Sequence, residues 1–127
     1  MIGIDLVKTS RIKSFMDRFG DKALYRFLSP NEITLAKNYK TAAGFWAAKE
    51  AFSKALGVGI GSKCSFFDIE IYKNNYGAPH IKASKKIIEE FHIKDISLSI
   101  THEAEYAIAV VAIESSLPPS TDKIKQF

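Results

Sequence analysis

The sequence predicts an α+β domain in which a small antiparallel sheet packs against one long helix. Three observations carry that expectation. Residues 45–57 are rich in Ala, contain no Pro and end on a Gly suited to a helix C-cap. Residues 65–73 and 95–101 alternate with a period of two, and residues 2–7 and 106–113 are short apolar, β-prone runs. At 127 residues, 46% hydrophobic and 25% charged, the chain is one globular domain with a core of its own.

Taken in order, Ile2, Ile4, Leu6 and Val7 form a short strand, with Gly3 allowing close backbone approach. Asp5 interrupts it, and an acid there is either an edge residue facing water or a placed ligand. From Ser10, a candidate N-cap, the period turns helical. Ile12, Phe15, Met16 and Phe19 make an apolar stripe, Gly20 permits a break, and a second helical segment covers about residues 21–28. Residues 10–26 hold five basic side chains (Arg11, Lys13, Arg18, Lys22, Arg26) against two acids (Asp17, Asp21). So +3 of the chain's net +4 sits in 17 residues. Arg11, Arg18, Lys22 and Arg26 are spaced 7, 4 and 4 apart and share one face if the two helices stay aligned. Such a face is either merely solvated or meets an acidic partner, protein or nucleic acid.

Ser29-Pro30-Asn31-Glu32 starts a helix, with Ser as N-cap, Pro at the first position and Glu closing a capping box. That helix runs to about Tyr39, and the long helix begins near Thr41. On the long helix, Lys49, Ser53, Glu50 and Lys54 fall in one sector about 140° wide, which Trp46, Ala43 and Ala47 occupy one to two turns earlier. Its first half is thus apolar on every side, and Glu50 and Lys54 emerge at the edge of the buried region. Alone they read as a solvated i,i+4 pair worth about 0.2–0.5 kcal/mol. The glycines of Gly57-Val58-Gly59-Ile60-Gly61 lack the Lys-Ser/Thr of a phosphate loop and read as a turn.

Phe67, Ile69 and Ile71 then alternate with Asp68 and Glu70, Asn74-Asn75-Tyr76-Gly77 is hairpin chemistry, and a short strand follows Pro79. Residues 83–92 are an amphipathic helix with Ile87, Ile88 and Phe91 inward. Ile96, Leu98 and Ile100 oppose Ser97, Ser99 and Thr101, and His102-Glu103 make a short break. The final strand is apolar on both faces, Tyr106, Ile108 and Val110 against Ala107, Ala109, Val111 and Ile113. A domain with so few helices leaves one face for a neighbouring subunit. Residues 1–114 read as the domain and 115–127, with Pro118-Pro119, as a flexible tail.

No apolar run approaches the roughly 20 residues of a membrane span. Met1-Ile2-Gly3-Ile4-Asp5 lacks a basic leader region, and Cys64 is the only cysteine, so a cytoplasmic protein without disulfides is expected.

Gly3-Ile4-Asp5-Leu6, Phe45 to Lys54 with Ala48-Lys49-Glu50-Ala51, Phe67-Asp68-Ile69-Glu70-Ile71, Gly77-x-Pro79, and Ser99-Ile100-Thr101-His102 with Tyr106-Ala107 together resemble the holo-acyl-carrier-protein synthases. These are the small bacterial 4′-phosphopantetheinyl transferases, and the match covers roughly residues 2–114. The resemblance implies transfer of 4′-phosphopantetheine from coenzyme A to a serine of apo acyl carrier protein, in support of fatty acid biosynthesis, with release of adenosine 3′,5′-bisphosphate. It implies that Asp5 and Glu50 hold Mg²⁺ on the pyrophosphate and that Lys54 neutralises phosphate oxygens. Lys54, Gly77, Pro79, Thr101 and His102 would contact coenzyme A. The acidic carrier would meet Arg11, Phe15, Arg18, Lys22 and Arg26. A homotrimer with the site between protomers is expected. One departure stands out: many members carry an Arg near Phe45, which this chain lacks.

The chemistry of the residues agrees. Mg²⁺ keeps several waters and needs only one or two carboxylates plus substrate phosphates. Phosphoryl transfer needs charge neutralisation and an aligned attacker rather than a covalent intermediate. Glu50, directly or through a metal-bound water, is the candidate base for the serine proton, with His102 second. A nucleic-acid-binding module would leave Asp5 and Glu50 unexplained, and a coenzyme A sensor would keep the pocket but transfer nothing.

Overall fold

The computed structural model describes residues 1–116. Three strands form the main sheet: β1 (Ile2–Lys8), β4 (Ile93–Glu103) and β5 (Tyr106–Ser115), in the order β1-β5-β4 and antiparallel throughout. A separate hairpin pairs β2 (Ile69–Lys73) with β3 (Pro79–Ala83). The helices are α1 (Thr9–Phe19), α2 (Asp21–Tyr25), α3 (Pro30–Leu35), α4 (Tyr39–Ala55) and α5 (Lys85–Phe91).

The 17-residue α4 lies across one face of the main sheet, and both surfaces there are built from small residues. Ala47, Ala48, Ala51 and Ala55 of α4 are buried, as are Ala107, Ala109 and Val111 of β5. Gly3 is required at this contact, because a Cβ there would run into the Ala51 carbonyl and the Ala55 amide. Beyond the helix, Phe27, Trp46 and Phe66 pack as an aromatic cluster, with ring centroids 4.9–6.1 Å apart.

Register fixes which side chains share the helix-facing surface. Gly3, Asp5 and Val7 stand beside Val111, Ala109 and Ala107, which in turn pair with Leu98, Ile100 and His102. Asp5 therefore faces α4 rather than water. Ile2, Ile4 and Leu6 point the other way, 75%, 58% and 56% exposed, next to Ala112, Val110 and Ile108. The final strand is apolar on both faces, as expected: Val111 is sealed under α4 and Val110 is 39% exposed.

Several local expectations are corrected. Ser10 is not an N-cap: Lys8 holds that position without a side-chain cap, and Thr9 is tied to Glu105 through both its amide (2.7 Å) and its hydroxyl (3.0 Å). The capping box at Ser29 forms, but α3 stops at Leu35, and α4 starts at Tyr39, where the Asn38 side chain accepts from Thr41 N. Phe67 does not belong to the alternating strand, which begins at Ile69; it is 60% exposed in a 3₁₀ turn, Phe66–Asp68, that Ser65 and Asp68 cap reciprocally. Ile88 is 39% exposed on a seven-residue helix that has only Ile87 fully buried. His102 and Glu103 continue β4 instead of breaking it, and the turn comes at Ala104-Glu105. β5 extends through Ser115, and the Ser116 amide bonds to His92 O; the rest of the expected tail, 117–127, lies outside the described residues.

Candidate active site

The close approach of Gly3 to Ala51 determines what stands beside α4 one and two residues further along β1. The Lys54 ammonium donates to Asp5 Oδ1 at 2.9 Å and to the Ile4 carbonyl at 3.3 Å, joining residues 49 and 50 positions apart. Glu50 is half-buried one turn earlier on α4. Burial and the charge of Asp5 push its carboxyl above the ordinary range, and Lys54 only partly opposes them. Asp5, Glu50 and Lys54, expected as one group, are thus brought together. Among the described residues there is no cluster of three or more His, Cys, Asp or Glu side chains that could cage a metal. Two converging carboxylates, one of them disfavoured as an anion, suit a hard divalent cation that fills its remaining positions with water and ligand oxygens.

Lys49 separates from this group, although the helical sector places it with Glu50 and Lys54. It is fully buried, and its ammonium donates to Glu32 Oε1 (2.7 Å), Phe27 O (2.7 Å) and Phe66 O (3.0 Å). Glu32 also accepts from the amides of Ser29 (2.8 Å) and Ile71 (2.9 Å). Burial lowers the Lys49 pKa, with Glu32 acting in the opposite sense. Sequence reasoning saw Glu32 only as a capping-box residue; that the same carboxylate grips Lys49 has no local signature.

A second region lies towards the N-terminal end of α4. Thr41, Gly44, Phe45, Lys73, Gly77, Pro79, Ile100 and His102 line a cleft of ≈ 180 Å³. Gly44 fits closely here, since a Cβ would come within 3.1–3.3 Å of Ile100 and the His102 ring, which would have to give way by a few tenths of an ångström. His102 Nε2 lies 2.9 Å from the Lys40 carbonyl. A carbonyl only accepts, so Nε2 carries the proton and Nδ1 is the remaining ring nitrogen. Gly77, Pro79 and His102 therefore come together as expected. Thr101 does not join them, because it follows the pleat to the opposite face of the sheet, paired with Ile108. Thr41, Gly44 and Lys73 were not singled out in the sequence; they meet in the cleft because α4, the β2–β3 hairpin and the end of β4 converge there.

The basic segment is partly assembled. Gly20 (φ 62°, ψ −146°) turns the chain between α1 and α2. This brings Arg26 over the rings of Phe15 (5.4 Å) and Phe19 (4.9 Å), with Arg18 over Phe19 (5.0 Å). Arg11 and Lys22 are exposed on the same two helices.

Known proteins are similar to this chain over most of its length. Residues 1–111 match the family model of the 4′-phosphopantetheinyl transferase superfamily. The chain is 65% identical to a holo-[acyl-carrier-protein] synthase of Sulfurimonas denitrificans over 116 residues, 91% of this chain and 96% of the relative. A crystal structure of the Helicobacter pylori holo-[acyl-carrier-protein] synthase in complex with coenzyme A is 51% identical. It superposes with a TM-score of 0.87, covering 90% of this chain and 100% of that one. The Neisseria meningitidis enzyme is 33% identical, with a TM-score of 0.81 over 90% of this chain and 97% of that one. With its strands, its long helix and its Asp5–Glu50–Lys54 group in the order that the resemblance requires, the chain belongs to the 4′-phosphopantetheinyl transferase superfamily and, within it, to the holo-acyl-carrier-protein synthases.

Proposed function

We propose that the protein transfers 4′-phosphopantetheine from coenzyme A to a serine of an apo acyl carrier protein in a Mg²⁺-dependent reaction, serving fatty acid biosynthesis in the cytoplasm. The observation that carries this reading is the convergence of Asp5, Glu50 and Lys54 from distant parts of the chain. The serine oxygen attacks the phosphorus that bears pantetheine, the bond to the adenosine-side oxygen breaks, and adenosine 3′,5′-bisphosphate leaves. Asp5 and Glu50 would hold Mg²⁺, which supplies neutralisation of the pyrophosphate charge when bound. Lys54 has three ammonium hydrogens and two protein acceptors, Asp5 and Ile4 O, so one hydrogen is left for a phosphate oxygen. Glu50 would accept the serine proton as the new P–O bond forms.

The nucleotide end of coenzyme A would occupy the cleft of Gly44, Gly77, Pro79 and His102. Thr41 and Gly44 precede Glu50 by nine and six residues on one helix, about 9–14 Å at 1.5 Å per residue. The exposed apolar face of Ile2, Ile4, Leu6, Tyr106 and Val110 supports a closed homotrimer, in which a neighbouring protomer would complete each site. The acidic carrier would dock on Arg11, Phe15, Arg18, Lys22 and Arg26. The test is direct: protein, coenzyme A, Mg²⁺ and apo carrier are mixed and the carrier is weighed by mass spectrometry. The expected result is a phosphopantetheine mass gain matched by free adenosine 3′,5′-bisphosphate and lost on adding a chelator. An unchanged carrier mass overturns the reading.

A further inference from the structure

We infer that the buried Lys49–Glu32 pair positions the Glu50 carboxylate, by fixing how helix α4 is rotated about its own axis. This rests on the transfer reading above and adds two positioning residues to it. Among the described residues no hydrogen bond or ion pair holds the Glu50 carboxylate, whereas Asp5 is held by Lys54. The place of Glu50 is therefore inherited from the α4 backbone, where the buried Ser53 hydroxyl donates to the Glu50 carbonyl at 2.7 Å.

Packing against the sheet does little to set that rotation. The helix meets it through Ala47, Ala48, Ala51 and Ala55, whose methyl groups raise no ridge to lock into a groove. Lys49 projects about 150° around the helix from those alanines, at 100° per residue. There its ammonium is tied to acceptors from three separate segments: Glu32 Oε1 on α3, Phe27 O before it, and Phe66 O in the 3₁₀ turn. Glu32 is fixed in turn, its oxygens accepting from Ser29 N and from Ile71 N on β2. Buried charge-assisted bonds are directional and costly to leave unmade, so α4 cannot roll without breaking them. The consequence for the next residue is geometric. With the Glu50 carboxylate about 5–6 Å from the helix axis, a roll of about 10° moves it by about 1 Å. A misplacement of that size costs up to about 10² in rate.

The experiment compares wild type with Glu32→Gln/Lys49→Met and with Ile87→Ala, a fully buried change on α5, which packs on β4. Ile87→Ala is a destabilised control that leaves α4 untouched, and all three are assayed where circular dichroism shows each one native. The double variant should lower kcat by about 10- to 100-fold with the KM for coenzyme A within about twofold of wild type. Ile87→Ala should keep both constants within about twofold. A binding arm needs no turnover. Calorimetry with coenzyme A in metal-free buffer should give wild type and the double variant the same Kd within about twofold. The gain in affinity on adding Mg²⁺ should shrink by at least about threefold in the double variant, because Glu50 no longer stands squarely beside Asp5. If the double variant does not fold, Glu32→Gln alone, which leaves Lys49 its two carbonyl acceptors, takes its place and should lower kcat by at least about threefold. A folded variant with wild-type kcat or a wild-type Mg²⁺ gain, or an equal loss of kcat in Ile87→Ala, overturns the assignment. Failure of wild type to modify the carrier overturns the transfer reading instead, and shows as an unchanged carrier mass.

Discussion

Helix α4 makes two lysine–carboxylate contacts of similar length and opposite character. Lys49–Glu32 is 2.7 Å with both side chains at 0% exposure, and Lys54–Asp5 is 2.9 Å with the lysine 52% and the aspartate 14% exposed. All three ammonium hydrogens of Lys49 are used, and Glu32 receives two amides in addition. Nothing is left over for a ligand, so the pair ties α3, the Phe27 carbonyl, the 3₁₀ turn and β2 to α4. Lys54 keeps a hydrogen and an open path to solvent, and the neighbouring Glu50, disfavoured as an anion by burial and by Asp5, gains from a nearby cation. The distinction between structural and reactive charge therefore lies in residual hydrogen-bonding capacity and access, which a distance alone does not report.

The largest expected effect breaks the buried pair. Lys49→Met leaves the Glu32 carboxylate buried without its cation and should cost about 3–5 kcal/mol of stability, read as a lower midpoint in urea denaturation. The double variant Glu32→Gln/Lys49→Met should recover part of that loss. An unchanged midpoint in the single variant would remove the contrast.

Next is the reactive side. Glu50→Gln should lower kcat by about 10²–10³ with the fold intact. Its stability effect has a definite sign. A carboxyl whose pKa is raised on folding costs stability once the pH exceeds its unfolded value, and the full cost is reached above the folded value. In metal-free buffer, Glu50→Gln should thus raise Tm at neutral pH, and the advantage should vanish as the pH falls below the unfolded carboxylate value. A lower Tm at neutral pH would mean that Glu50 is structural after all.

A third variant pair separates the two faces of β5. Val110→Lys should dissociate the assembly and reduce transfer by about tenfold while each protomer stays folded, whereas Val111→Lys should unfold the chain outright. Sedimentation and circular dichroism distinguish them, and a fully active wild-type monomer would sink the shared-site arrangement. The smallest effect is expected at the helical rim. Arg18→Glu should raise the KM for the carrier by about three- to tenfold at low salt, less at physiological salt, with the KM for coenzyme A unmoved. A shift in the coenzyme A constant alone would place the carrier elsewhere.

Much of this was readable before any coordinates. The existence of strands near 65–73, 95–101 and 106–113 follows from alternation and apolar runs, though not their observed ends, the long helix from composition, and the α3 start from Ser29 and Glu32. Ser10 failed as a cap because the backbone at Thr9 is satisfied by Glu105, 96 residues away, which no window around Ser10 contains. Ile88 and Phe67 misled because periodicity says which residues align, not how much of the turn a neighbour covers.

The sequence by itself determined the fold class, the family, and the candidacy of Asp5, Glu50 and Lys54, because these depend on residue types at recognisable separations. Tertiary structure alone decided that Lys49 is a buried anchor while Lys54 stays available, that Asp5 faces the helix, and that Lys73 shares a cleft with His102. The physical reason is the same in each case. Whether a charge is spent or free depends on which distant backbone and side-chain groups arrive beside it, and Gly3 and Gly44 let those groups come close.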